Sequence, residues 1–120
     1  MNQFMLLIRT QGDHLLELSE EDQKIHLEKV KVYIEDLMRQ GKLNGAQPLE
    51  MESVIISGTK GKLKDGPFNE SKEVIAGYFL IVAESMEEAI EIGKRNPIFE
   101  SFKKARIEVR QVKILQGIND

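Results

Sequence analysis

Residues Val74 to Val82 form an almost wholly apolar run, interrupted only by Gly77. Such a run reads as a strand buried on both faces, and its glycine marks a bulge or a close approach by another group. Phe4-Met5-Leu6-Leu7-Ile8 is a second unbroken apolar run, bounded by polar residues and Gly12, and reads as another central strand. In a regular strand Val74, Ala76, Tyr78, Leu80 and Val82 point one way, and Ile75, Phe79 and Ile81 the other. Both faces therefore need a cover.

Two helices are available. Ser19-Glu20-Glu21-Asp22 is a capping sequence, and Gly41 is placed to end the helix that follows. Between them, at about 100° per residue, Leu27, Val30, Ile34, Leu37 and Met38 make one apolar stripe, with His26 and Tyr33 at its edge. Ser85-Met86-Glu87-Glu88 repeats the capping signature. It opens a helix whose Met86, Ala89, Ile90 and Gly93 share a face before Asn96-Pro97 stops it. Between the helices, Lys42 to Glu52 reads as a connecting loop and Val54-Ile55-Ile56 as the second strand. Gly61 to Lys64 reads as its short hairpin partner and Asp65-Gly66-Pro67 as a turn. Ile98 to Lys104 reads as a connector. Ile107 and Val109 alternate with Glu108 and Arg110 in a last, half-exposed strand, with a bulge expected near Gln111.

The resulting β-α-β-β-α-β order is that of a ferredoxin-like α+β fold, with two helices on one face of a mostly antiparallel sheet. The other face keeps large apolar side chains, so a homodimer is expected. The competing reading folds the Lys42 to Glu52 loop and the Phe99 to Phe102 segment over it.

The chain has 120 residues, the size of a single domain, and 17 basic against 20 acidic residues give a net charge of −3. That balance offers no reason to bind nucleic acid or an anionic membrane. No apolar stretch approaches the roughly 20 residues of a membrane span. The N-terminus does not read as a secretory signal, so a cytoplasmic protein is expected. With no cysteine, thiol catalysis and thiolate-held metals are excluded. Gly58-Thr59-Lys60-Gly61 lacks the spacing of a phosphate-binding loop and reads as a hairpin turn. His14 and His26 are not spaced as a helical ligand pair. No metal or other cofactor is expected.

His26 has two readings: a boundary histidine satisfied by a carbonyl or water, or an imidazole facing a cavity. His14 falls in a polar loop and is expected to be exposed. Residues 65–73 surround a tight turn with acids and a lysine, which by itself is a solvated turn.

Asp65-Gly66-Pro67-Phe68, followed by Glu70, Lys72-Glu73 and Gly77-Tyr78, resembles the signature of the YCII-related, or DGPF-domain, family. The likeness extends to the opening strand, the helix start with His26, Gly41 to Gly45, Glu87-Glu88-Ala89 and the closing strand. It departs in the loop Gln11 to Leu18 and in a C-terminal extension near residues 113–120. The resemblance implies a dimeric α/β barrel with a pocket near the subunit interface, holding a histidine and an aspartate as its active site. These positions correspond to His26 and Asp65. Most members of the family have no established activity. One eliminates chloride from a hydroxyquinone-type substrate, and others accompany extracytoplasmic-function sigma factors.

A carboxylate beside an imidazole fixes its tautomer and raises its basicity, which suits proton transfer on a small polar substrate. Tyr33 could add a phenolic donor and Lys72 a cation for such a ligand. Their plainer roles are core packing for Tyr33 and a surface ion pair for Lys72. The expected function is thus acid–base chemistry, elimination or isomerisation, in a small-molecule pocket. The alternative is a non-catalytic ligand-binding or regulatory dimer, linked to sigma-factor signalling.

Overall fold

The computed structural model describes residues 1–66 and 73–120. Strand β1 (Asn2–Gln11) leads through a 3-10 turn (His14–Glu17) into helix α1 (Glu20–Arg39) and strand β2 (Leu43–Pro48). Strands β3 (Ile55–Thr59) and β4 (Lys62–Gly66) precede β5 (Glu73–Ala83), α2 (Met86–Lys94), the short α3 (Ile98–Ser101) and β6 (Arg106–Gln111). Among the described residues a four-stranded antiparallel sheet runs in the order β2-β5-β1-β6, and β3 and β4 pair with each other in a separate two-stranded sheet. The architecture is a ferredoxin-like α+β fold carrying an inserted hairpin.

The apolar runs occupy the two central strands. Along β1, Phe4, Leu6, Ile8 and Thr10 are buried while Gln3, Met5, Leu7 and Arg9 are half-exposed on the opposite face. Along β5, Phe79, Ile81 and Ala83 are buried, and Tyr78, Leu80 and Val82 alternate with them. Ala76 breaks the expected alternation: it is buried with Phe79 rather than facing outward with Tyr78. The cause is a bulge, because Ile8 pairs with Gly77 and Arg9 with Ile75, leaving Ala76 as the extra residue. Gly77 is also a point of close approach, since a Cβ there would lie 2.8 Å from the Gln47 carbonyl oxygen.

Both helix starts form as the capping sequences require. Ser19 Oγ accepts from the Asp22 N–H at 3.1 Å, and Ser85 Oγ from the Glu88 N–H at 3.2 Å. Gly41, at φ +70°, ends α1: its N–H donates to the Met38 carbonyl, and that of Lys42 to the Leu37 carbonyl.

Four local expectations are corrected. The segment read as a loop contains β2, whose Leu-Asn-Gly-Ala-Gln-Pro has little strand propensity and is held by pairing with β5. As an edge strand it tolerates Pro48. Val54-Ile55-Ile56 accordingly supplies the inserted hairpin instead of the second strand of the main sheet, and β4 continues through Asp65 and Gly66. Both helices are rotated from the expected phase. In α1, Leu27 and Met38 are exposed and His26 and Leu37 are buried; in α2, Ile92 replaces Ile90 on the buried side. Finally, β6 keeps an unbroken register to Gln111, without a bulge.

The segment expected to be a connector carries core residues, with Ile98, Phe102 and Ala105 all buried. On the sheet face away from the helices, Arg106 grips Glu73 through two hydrogen bonds of 2.6 and 2.9 Å, and Arg9 binds Glu108 at 2.6 Å. Arg106 holds the Glu73 carboxyl below its usual range. No helix among the described residues is long and apolar enough to cross a membrane.

Candidate functional site

A cavity of about 240 Å³ lies between α1 and the sheet. Val30 and Ile34 of α1 form its roof, and Ile8, Ala76 and Gly77, at the β5 bulge, form its floor. The irregularity of β5 thus shapes the space that the helix covers. His14 and His26 both line it, and no carboxylate does among the described residues.

His26 projects from the second turn of α1 and is only 4% exposed. Its position toward the centre of the buried face, rather than at an edge, follows from the rotation of the helix. Nδ1 lies 3.2 Å from Ser101 Oγ at the end of α3, and among the described residues no hydrogen-bond partner meets Nε2. The ring meets Phe102 edge to face, with centroids 5.1 Å apart. Burial lowers its pKa below the ordinary value of 6.5, and the charges of His14 and Lys29 act in the same direction against Glu100. The imidazole is therefore neutral near pH 7. When Nδ1 carries the proton and donates to Ser101, Nε2 presents a lone pair.

The loop before α1 places the other histidine. Thr10 Oγ1 donates to the Gly12 carbonyl, Gly12 takes a left-handed turn, and Asp13 caps the 3-10 turn by accepting from the Leu15 N–H. Leu15 and Leu18 anchor this segment on the core. His14 is consequently half-buried instead of exposed, with its ring centroid 4.7 Å from that of Phe102. Its pKa is lowered, chiefly by burial and against the charges of Asp13 and Glu17.

Tyr33 faces the core beside the cavity. Its hydroxyl donates to the Ile92 carbonyl at 2.7 Å and its ring packs edge to face on Phe79. Burial pushes the phenol up to about 12, so it keeps its proton. Asp65 stands on the exposed β4 strand opposite Ile56 and does not line the cavity within its own chain. Lys72 lies outside the described residues. The sequence reading missed Ser101, Phe102 and the inward turn of His14. Apolar neighbours Leu15, Ile98 and Phe99 were the available signal that these segments pack.

Fold and cavity define a small α+β protein with an apolar, imidazole-bearing pocket under its first helix. The chain belongs to the YCII-related family: the sequence model of the YCII-related domain matches residues 2–115. Among solved structures it is similar to 5-chloro-2-hydroxyhydroquinone dehydrochlorinase from Burkholderia phenoliruptrix AC1100, in complex with 2,5-dihydroxybenzoquinone. The TM-score is 0.54 at 18% sequence identity, covering 98% of this chain and 99% of that one. This likeness is one of fold. No curated protein matches the sequence.

Proposed function

We propose that the protein acts as a homodimer that binds a small cyclic molecule in the cavity and moves a proton on it, with His26 as general base. The observation that carries this reading is a 4% exposed imidazole, held through Nδ1 beside Ser101 and lining an apolar cavity. A low-polarity wall strengthens each electrostatic contact with a reacting group. An engineered apolar cavity of roughly 150 Å³ takes up benzene, so one of about 240 Å³ suits a single substituted ring. In an elimination His26 Nε2 takes a C–H proton, the electron pair forms a double bond, and the leaving group departs with its bonding pair. In an isomerisation the proton returns at another carbon.

Two features support the dimer. Met5, Leu7, Leu80 and Val82 are only half-covered on the helix-free face, and the β3–β4 hairpin is exposed almost throughout. In this reading Asp65 meets the cavity of a second copy, where its carboxylate orients an imidazole. Screening hydroxylated and halogenated single-ring compounds by thermal shift tests the proposal, with 2,5-dihydroxybenzoquinone as the first compound because the structural neighbour binds it. A ligand should raise the Tm of the wild type and be turned over, with His26→Ala losing turnover and Asp65→Asn reducing it. A ligand that stabilises wild type and His26→Ala alike, without turnover in either, counts against catalysis. The absence of a carboxylate from the cavity wall among the described residues favours that second reading, a ligand-binding or regulatory dimer.

A further inference from the structure

The cavity holds a second imidazole that proton transfer by His26 does not use. His14 meets the same Phe102 ring as His26, with interplanar angles of 78° and 86° to that ring. Its Nδ1 is sealed from water and has no hydrogen-bond partner among the described residues. Sealing an N–H without an acceptor is rarer in folded proteins than leaving a lone pair unsatisfied. A neutral imidazole has one proton to place, and the sealed nitrogen is the costly place for it. The proton therefore sits on Nε2, which is neither sealed nor engaged among the described residues.

We infer that His14 is a hydrogen-bond donor to the molecule in the cavity, holding through Nε2–H an oxygen atom of a hydroxylated or keto-substituted ring. The inference rests on the proposed reading of the His26 site and narrows its ligand to oxygen-bearing rings. The two imidazoles then carry opposite tautomers. In this arrangement His26 would donate from Nδ1 to Ser101, 3.2 Å away, and keep its Nε2 lone pair free, while His14 would present its proton and keep its sealed Nδ1 as the lone pair. As His26 Nε2 accepts a ring C–H proton, the electron pair moves toward the adjoining carbonyl and the oxygen becomes an enolate. A neutral imidazole N–H placed at that oxygen stabilises the charge as it develops. The step is a proton transfer, with nothing oxidised or reduced.

The chain contains only two histidines, so long-range proton–nitrogen NMR of the labelled full-length protein shows just two imidazoles. The spectrum of His14→Gln assigns them. The expected result at neutral pH is a proton on Nε2 of His14 and on Nδ1 of His26. Catechol is the probe and benzene the control. His14→Phe keeps a ring against Phe102 and should bind catechol about five- to tenfold more weakly, the loss of one hydrogen bond, with benzene unchanged. His14→Gln, which retains an N–H donor, should recover part of that loss. A proton on Nδ1 of His14 overturns the inference, as does full catechol affinity in both variants. Either result leaves the His26 reading standing if His26→Ala still loses turnover. Catechol that fails to bind the wild type overturns the ligand class and the inference together.

Discussion

Helix α2 presents Ala89, Ile92 and Gly93 to the sheet, and all three are buried. The absent side chain at Gly93 brings Ile107 and Val109 of β6 within 3.9 Å of where its Cβ would be. Helix α1 presents His26, Val30, Ile34 and Leu37, yet only His26 and Leu37 are fully buried, and a cavity separates part of the helix from the β5 bulge. Two helices on one sheet face thus do different work. Small residues let α2 seat closely on the sheet, whereas larger, branched residues of α1 stand above a cavity that both imidazoles line. The difference teaches that α2 seats on the sheet as scaffold, whereas α1 and the loop before it, together with the β5 bulge and α3, frame the cavity.

Truncations should show this asymmetry most strongly. Ile92 is fully buried, and Ile92→Ala should cost about 2 to 5 kcal/mol, whereas Ile34→Ala, beside an existing cavity, should cost about 1 kcal/mol. Urea unfolding of the two variants measures the gap, and equal losses would erase the distinction between scaffold and site. Gly77→Ala comes next. Its Cβ would press on the Gln47 carbonyl and Pro48, pushing β2 from β5 at a cost of about 1 to 3 kcal/mol. Gly93→Ala, by contrast, meets nothing closer than ordinary contact and should stabilise α2 by up to about 1 kcal/mol. The same substitution at two buried glycines thus has opposite signs.

The scaffold was more legible in the sequence than the site. Capping serines, Gly41, Gly77 and the apolar runs act through neighbours in the chain or through strand periodicity, so they can be read directly. The phase of α1 was not legible: Leu27 and Met38 look like core by composition, and only the cavity and the Phe102 contact explain why His26 displaces them from the buried centre. Strand β2 was hidden because its stability comes from β5 rather than from Asn44, Gly45 or Pro48. Ser101 and Phe102 lie 75 and 76 positions beyond His26, and no local pattern announces such a pairing.

Acidification should act on the site before the scaffold. Both histidines have folded pKa values below their unfolded value of about 6.5. Between the lowered values and about 6.5 the unfolded chain binds more protons than the folded one, so stability rises with pH across that window. The histidine contribution is complete above pH 6.5 and is lost as pH falls through the lowered values. Urea midpoints should therefore drop between about pH 7 and pH 5, before most carboxylates titrate, and the drop should shrink in His14→Phe. An unchanged slope in that variant would mean that His14 is not buried in solution.

The smallest effect separates the hairpin from both scaffold and site. Leu63 on β4 is 64% exposed, so in an isolated chain Leu63→Ser should change stability by no more than about 0.5 kcal/mol. An isolated two-stranded hairpin is at best marginally stable in water, and Ile56 on β3, 70% exposed, adds apolar surface beside it. If the hairpin reaches a second copy, Leu63→Ser should leave the unfolding of dilute protein unchanged but weaken self-association, which sedimentation at increasing concentration measures. A lowered Tm with no change in association would place Leu63 against its own chain and remove the hairpin from any shared site.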